Sequence, residues 1–403
     1  MEQAVEFFEA LGVLPFFIER LFERGITKPS KIQEEVIPLL LKDEKLIFRS
    51  PTGTGKTFAY LLPLLGRFVG LGDQEAKRPK GPAILVCAPT YELCSQIKAE
   101  ADFLLRGTRH RAALIIGQAN MARQLEDLKR INPLIVVGNP GRLLLLARMH
   151  RLYLSDLRYV VLDEGDRLVS DELLEETREL LALVNQKGGK IFLACSATFS
   201  AKSRERLLPL MGEGVQTLDS RGDILREMVE HWAFFSQERE KIQTLRSFIN
   251  AANPKNKKKS FKALIFTARG RDVGKIVSQL QSRGLGAAGL WGEMKKGARK
   301  QALDDFRSGR ISLMVTSDLA ARGLDIPGIS HIVALDLGED PDSYIHRAGR
   351  TARAGMKGIM VTIGHEGEMR RLAALEKRLG ITVYPKELYY GKICTPEQGI
   401  ASS

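Results

Sequence analysis

Short runs made almost wholly of aliphatic residues recur along the chain, separated by longer stretches with helical spacing. In the first half they include Ala83–Cys87, Ala112–Ile116, Leu134–Val137, Tyr159–Leu162 and Ile191–Ala194. In the second they include Ala263–Phe266, Ile311–Val315, His331–Leu335 and Ile359–Ile363. A strand with one wet face alternates apolar and polar residues. A run without alternation is apolar on both faces, as in a parallel sheet covered by helices on each side. Strands alternating with helices therefore predict a doubly wound α/β architecture. The series breaks once, in the polar stretch 212–226, and resumes near Val229. That break predicts two similar domains, 1–221 and 222–383, followed by a short tail, 384–403. Leu372, Leu375 and Leu379 mark an amphipathic helix ended by Gly380. Two domains of this kind predict a ligand cleft between them.

Composition narrows the function classes. Hydrophobic residues make up 44% and charged residues 27%, as in a globular protein with full cores. No apolar span is long enough to cross a bilayer, and the first residues are acidic where a secretory leader would be basic. A soluble, cytoplasmic protein is the expectation. Cys87, Cys94, Cys195 and Cys394 show no CxxC spacing, which argues against a metal or disulfide framework and predicts buried, reduced thiols at Cys87 and Cys195. The formal charge is +13, of which +11 falls in residues 221–403. Such an excess favours phosphate backbones. The Lys255–Lys259 run fits a solvated loop as well as a nucleic-acid contact.

The sharpest motif is Ser50-Pro51-Thr52-Gly53-Thr54-Gly55-Lys56-Thr57, placed after the apolar run Leu46–Phe48 and before the helical face of Phe58, Leu61, Leu62 and Leu65. Strand, glycine-rich loop and helix in that order form a phosphate loop. Gly53 and Gly55 let backbone N–H groups turn toward phosphate oxygens, and the helix N-terminus adds positive potential. Lys56 would reach the β- and γ-phosphates and Thr57 would hold Mg²⁺. A strict pattern has Gly where Ser50 stands. Asp163-Glu164-Gly165-Asp166 follows the buried run Tyr159–Leu162. Asp163 would hold Mg²⁺, through water, and Glu164 would orient and deprotonate the attacking water. In the second half, Arg347, Arg350 and Arg353 recur every third residue, which would put them on roughly one helical face. Arginines brought from another domain can stabilise the charge spread over a transferred γ-phosphate. His346 beside them is read as a hydrogen-bonding residue with no proton-transfer role.

In order, these motifs and several weaker ones resemble the DEAD-box RNA helicases over nearly the whole chain, from about Phe8 to Leu379. The resemblance implies two tandem RecA-like domains, ATP and Mg²⁺ as cofactors, and RNA as partner. Gly25-Ile-Thr-Lys28-Pro29-Ser-Lys-Ile-Gln33 resembles the Q motif, so Gln33 is expected to bond the adenine edge and Phe8 to pack on its ring, with Lys28, Thr52, Gly53, Thr54 and Gly55 nearby. Pro89-Thr90-Tyr91-Glu92-Leu93, Gly117 and Asn139-Pro140-Gly141-Arg142 resemble first-domain RNA-binding segments. Thr267, Arg299 and Thr316 resemble their second-domain counterparts. Ser196-Ala197-Thr198 resembles the segment that couples hydrolysis to unwinding, with Asp166, Arg322, His346 and Arg347 in coupling roles. Asp325 is expected at the ribose, and Arg350 and Arg353 match the finger arginines.

Five positions depart from the family pattern. Gly165 replaces Ala in the signature, Tyr91 stands where Arg is usual, Gln118 replaces a Gly, Asn139 replaces Thr, and Lys296 replaces Gln. All but Gly165 fall on the expected RNA side, so hydrolysis is more secure than unwinding. The expected mechanism is a clamp: ATP and single-stranded RNA close the domains, one RNA strand bends, and a short duplex is pried apart with little sequence preference. Two other readings stay open, an ATP-gated RNA clamp that unwinds little and an ATPase acting on DNA. A P-loop kinase or small GTPase does not fit the length or the second domain. A monomer is the family expectation.

Overall fold

The computed structural model describes residues 2–51, 53–69, 81–117, 120–185, 188–219, 224–253, 261–268, 273–292, 294–321, 326–338, 341–352 and 357–396. The chain divides into two compact units, Met1–Arg221 and Gly222–Ser403. The first unit holds the strands β1 (Lys45–Arg49), β2 (Ile84–Cys87), β3 (Ala112–Ile115), β4 (Ile135–Gly138), β5 (Tyr159–Asp163), β6 (Ile191–Ser196) and β7 (Val215–Asp219). They form one sheet in the order β3-β4-β2-β5-β6-β1-β7, with every neighbouring pair parallel. Alternate residues of one strand go to opposite cores. Ile84, Val86, Tyr159 and Val161 join one cluster, while Leu85, Cys87, Val160 and Leu162 join the other. Burial on both faces is the reason these runs lack a polar alternation.

The second unit repeats the plan with β8 (Val229–Phe235), β9 (Ala263–Phe266), β10 (Ala287–Leu290), β11 (Leu313–Thr316), β12 (His331–Ala334), β13 (Gly358–Gly364), β14 (Val383–Tyr389) and β15 (Lys392–Cys394). The order is β10-β11-β9-β12-β13-β8-β14-β15, parallel except for the final β14–β15 hairpin. Here too the two faces separate: Leu264, Phe266, Ile332 and Ala334 enter one core, and Ala263, Ile265, Val333 and Leu335 the other.

Four strands were not visible as aliphatic runs. The edge strand β7 lies within the stretch read as a polar break, because only Val215 and Leu218 of it are packed inward. β10 is written Ala-Ala-Gly-Leu, and a side chain at Gly289 would lie 2.8 Å from Val273 of the covering helix Val273–Gln281. The segment 384–403, expected to be a tail, instead supplies most of β14 and all of β15. Val383 pairs with His231 and Tyr384 with Trp232, so this segment extends the second sheet. The helix Glu366–Leu379 buries Leu372 and Leu375 and ends at Gly380 with φ 60°, the left-handed cap that glycine accommodates. Cys87, Cys94 and Cys195 are buried free thiols, and Cys394 is free and half-buried. No described helix is long and apolar enough to cross a membrane.

His331, on β12, lies against the rings of Phe261 and Phe248, at 4.6 and 5.9 Å between centroids. Burial pushes its pKa down from 6.5 to about 4. Between those values an unfolded chain takes up a proton that the native imidazole does not, so acid favours unfolding. Lowering the pH from 7 to 5 is expected to cost the second unit about 2 kcal/mol from this residue. His331→Leu should remove most of that loss, measured by urea unfolding at the two pH values.

Candidate functional site

In an open parallel sheet, ligands gather where the strands deliver their carboxyl ends. Three neighbours of the first sheet, β5, β6 and β1, end at Asp163, Ser196 and the loop after Arg49. Sheet order thus assembles motifs more than a hundred residues apart. Thr54 Oγ1 donates to Pro51 O at 2.8 Å and shares a hydrogen bond with Ser50 Oγ at 2.8 Å. Ser50 N donates to Ser196 O at 3.0 Å. The Ser50 main chain thus ties the loop to β6, and its hydroxyl, which a strict phosphate loop would lack, ties the loop to Thr54. Gly53 and Gly55 take φ values of 82° and 89°, which a side chain would strain. Lys56 opens the helix Lys56–Val69 and donates from Nζ to Ser50 O and Pro51 O at 2.7 and 2.8 Å. Its ammonium is thereby held over the loop. Thr57, the next residue, is half-buried. Thr52 lies outside the described residues.

Asp163 is 3% exposed, and its carboxylate is held by three donors. Tyr60 OH donates to Oδ2 at 2.9 Å, while Cys195 Sγ–H and Glu164 N donate to Oδ1 at 3.2 and 2.9 Å. Burial, followed by the charge of Asp163, raises the pKa of both Tyr60 and Cys195, so both remain protonated donors. Neither was expected at the site from the sequence, Cys195 being read only as a buried, reduced thiol. The available signal for Tyr60 is its position one helical turn beyond Lys56 and Thr57, on the same face. Tyr60→Phe leaves a buried carboxylate oxygen without this partner and is expected to cost about 1–3 kcal/mol of stability, measured by urea unfolding.

Glu164 adopts the left-handed region, φ 51° and ψ 49°, and its Oε2 is sheltered from solvent without a hydrogen-bond donor among the described residues. Backbone strain of this kind in a non-glycine residue costs about 1–3 kcal/mol and concentrates at functional sites. Asp166, one turn on, accepts from Ser196 Oγ at Oδ1 and from Thr198 Oγ1 at Oδ2, the latter at 2.9 Å. The Asp-Glu-Gly-Asp turn and the Ser-Ala-Thr segment are thus locked together. A methyl at Gly165 would make only ordinary contacts, 3.5 Å from Ala194 and 3.6 Å from Phe199. The missing alanine therefore creates no special space.

The upstream segment is arranged differently from the expectation. Phe8 is wholly buried in the first core and does not offer a ring to a base. Its neighbour Phe7, about 100° around the helix Glu2–Ala10, is 47% exposed, with Lys28 Nζ 5.7 Å from its ring centroid. Gln33 is 4% exposed; its Oε1 accepts from Ser30 N at 3.0 Å and its Nε2 donates to Gly55 O at 3.2 Å. Gln33 therefore caps the helix Lys31–Leu41 and braces the phosphate loop.

The other half of the first sheet's carboxyl edge, β3-β4-β2, carries the three segments expected at RNA. Thr90 caps the helix Tyr91–Leu105, with its hydroxyl accepting from Leu93 N at 3.3 Å, and Tyr91 packs partly against the core. Pro140 opens the helix Pro140–Arg148, Gly141 lies against the carboxylate of Glu176, and Arg142 Nη2 donates to Gly117 O at 2.7 Å. Asn139 Oδ1 is buried without a donor among the described residues. Gln118 lies outside them.

In the second unit Arg347 and Arg350 do not share a helical face. The helix Pro341–Ala348 stops before Gly349, so Arg347 is helical and Arg350 sits in the following turn, 6% exposed. Arg353, like Arg322 and Asp325, lies outside the described residues. Arg347 is 3% exposed and committed: Nε donates to Asp318 Oδ1 at 2.7 Å and Nη1 to Asp336 O at 2.6 Å. His346 is half-buried on the same helix. Thr267 and Thr316, expected at RNA, are 1% and 0% exposed, and their hydroxyls donate to Asp336 Oδ2 and Ser317 O. Both sit at strand ends that the core closes over, so their side chains shape loops and are not open contacts. Arg299 Nη2 donates to Ala320 O at 3.0 Å.

A phosphate loop facing a strand-end acid pair, on a doubly wound sheet followed by a second unit of like design, defines a P-loop nucleotide-binding protein of the RecA-like kind. Comparison with known proteins narrows this. Residues 30–207 match the DEAD/DEAH box helicase family model and residues 240–355 match the helicase conserved C-terminal domain. The DEAD-box ATP-dependent RNA helicase CshC of Bacillus cereus is 32% identical over 376 residues, 93% of this chain and 92% of that protein. YfmL of Bacillus subtilis, a probable ATP-dependent RNA helicase, is 31% identical over 94% of this chain and 96% of its own length. The structure of Saccharomyces cerevisiae Dbp5 bound to RNA and ADP BeF3 superposes with a TM-score of 0.80 at 27% identity, covering 94% of this chain and 95% of that one. The chain belongs to the DEAD-box ATP-dependent RNA helicase family.

Proposed function

We propose that the chain hydrolyses ATP in response to RNA and uses the cycle to open short duplexes or remodel RNA–protein complexes. The observation that carries this is the division of the first sheet's carboxyl edge. β5-β6-β1 holds the phosphate loop and the acid pair, β3-β4-β2 holds the RNA-type segments, and Asp166 ties Ser196 and Thr198 to the acid turn. The oxygen donors of Thr57 and Asp163 suit Mg²⁺, a hard cation, and Cys195 stays protonated and does not compete. Bound there, Mg²⁺ would neutralise charge on the phosphates.

In this reading the loop amides and Lys56 bind the phosphates. Asp163 is oriented by Tyr60 and Cys195, and Glu164 orients and deprotonates water. Arg350 and Arg353 supply positive charge to the γ-phosphate in the state that also holds RNA. Thr90, Gly117, Pro140, Gly141, Arg142 and Arg299 are proposed to follow the RNA backbone, with slight sequence preference. Asp325 is proposed at the ribose, and Arg322, His346 and Arg347 in coupling. A monomer acting in the cytoplasm completes the proposal. Tyr91, Gln118 and Asn139 favour one variant of it, a clamp with weak unwinding, which a duplex-displacement assay separates.

The deciding experiment is the ATPase rate with single-stranded RNA, with single-stranded DNA of equal length, and with neither, using Lys56→Ala as the blank. Stimulation by RNA alone supports the proposal. Equal stimulation by DNA would move the chain to a general nucleic-acid ATPase, because only RNA offers a 2′-hydroxyl.

A further inference from the structure

In the second unit, three carboxylates converge beside the loop after β9, a segment whose Thr267 resembles an RNA-binding position. Glu238, Glu368 and Asp336 place oxygens 2.9, 2.7 and 3.6 Å from Lys241 Nζ. Lys241 is 1% exposed and also donates to Leu335 O at 2.8 Å. A charge withdrawn from water this far is tolerable only when paired and fully hydrogen-bonded, and four oxygens surround this one. The carboxylates in turn hold the loops at the strand ends. Asp336 Oδ2 accepts from Thr267 Oγ1 at 3.1 Å and Ala268 N at 2.7 Å. Glu368 accepts from Leu337 N at 3.1 Å and His365 N at 3.0 Å. The loops after β9, β12 and β13 are thereby fastened by acceptors whose negative charge would repel RNA if left uncompensated.

We infer that Lys241 is a positioning residue for RNA binding: its buried ammonium offsets part of the negative charge of Asp336, Glu368 and Glu238, so that carboxylates can organise the Thr267–Ala268 loop with less repulsion of the RNA backbone. This rests on the proposed binding of RNA, which the backbone of the Thr267–Ala268 loop would meet here, the Thr267 hydroxyl being turned inward to Asp336. Lys241 itself touches no RNA. Its effect is electrostatic, transmitted through Asp336, and is distinct from simple support of the fold. Asp336→Asn keeps an oxygen for Thr267 and Ala268 but removes the charge, and it should offset the loss of the lysine.

The test is binding of a fluorescent single-stranded oligoribonucleotide to the full chain with a non-hydrolysable ATP analogue, beside binding of the analogue alone. Lys241→Met is expected to weaken RNA binding about tenfold, a loss that added salt should shrink, with analogue affinity within about twofold of the parent. Lys241→Met with Asp336→Asn should recover most of the loss, and Asp336→Asn alone should bind RNA at least as tightly as the parent. A Lys241→Met chain that melts like the parent and binds RNA equally well overturns the inference, as does a double variant no tighter than the single one. If Lys241→Met does not fold, Asp336→Asn decides: a tenfold weakening there would show that the carboxylate charge itself is needed. Failure of the unaltered chain to bind RNA would instead remove the proposed function.

Discussion

Arg350→Ala is expected to lower RNA-stimulated ATP turnover by about 10³–10⁵-fold while leaving ATP affinity nearly unchanged. Two facts separate this arginine from its neighbour. Arg347 is held by Asp318 and by the carbonyl of Asp336, so its guanidinium already has a structural task. Arg350 lies past the end of the helix Pro341–Ala348, in the turn that leads to Ala352 at φ 54°. A helical Arg350 would have pointed along the same face as Arg347. The turn gives it an independent direction. The two substitutions should therefore fail in different ways. Arg347→Ala removes the hydrogen bonds of a buried guanidinium, though Asp318 keeps Ser343 and partial access to water, and should cost about 1–3 kcal/mol of stability. Arg350→Ala also removes a buried side chain, so its signature is a loss of turnover far larger than any loss of stability. Arg350→Lys keeps the charge but loses the planar fork, so it should recover only a small part of the rate. The measurement is kcat with saturating RNA beside a melting curve for each variant. Arg350→Ala turning over within tenfold of the parent would remove its proposed role.

The α/β architecture was legible because parallel strands covered on both sides must be apolar throughout, and no other common element writes that pattern at four to six residues. β7 and β10 escaped for opposite physical reasons. An edge strand such as β7 need not bury its side chains, and β10 is made small so that a helix can approach Gly289. β14 and β15 escaped because Tyr384, Pro385 and Tyr389 are exposed on a strand whose pairing is set by β8, about 150 residues earlier in the chain, beyond any local window. The phosphate loop and acid pair were legible because phosphate chemistry demands particular atoms at fixed spacing. What the motif could not show was the supporting shell. Tyr60 and Cys195 look like ordinary core residues until sheet order sets β1, β6 and β5 side by side. The same limit explains Phe8: a pattern aligns a residue with a role, but the helix Glu2–Ala10 turns that ring into the core and leaves Phe7 outside. It also explains Thr267 and Thr316, whose hydroxyls are spent on the loops that carry them.

Glu164→Gln is expected to lower turnover by about 10²–10⁴-fold, the range for loss of a positioned general base. The argument begins with conformation. Glu164 follows a buried strand that ends at Asp163, and the chain must turn at once into the helix Gly165–Leu168. It does so by placing Glu164 at φ 51°, a region that a side chain other than glycine occupies only under constraint. The constraint comes from both sides: Glu164 N is tied to Asp163 Oδ1, and Asp166 is tied to Ser196 and Thr198. The result is a carboxylate aimed independently of its neighbours, with Oε2 withdrawn from solvent and without a donor among the described residues. Glutamine preserves size and backbone geometry but cannot take a proton. Binding of ATP and RNA should therefore survive while hydrolysis does not, and the complex with both ligands should outlast that of the parent by a factor similar to the loss in rate. Single-turnover hydrolysis of bound ATP, read beside the dissociation rate of labelled RNA, distinguishes the possibilities. Slow hydrolysis with slow RNA release places Glu164 at the chemical step and makes hydrolysis the event that frees RNA. Slow hydrolysis with unchanged release would keep the base but uncouple it from RNA. Normal hydrolysis would mean that the strained turn at Glu164 serves only to orient Asp163 and Asp166, and the water-activating group would have to be sought elsewhere.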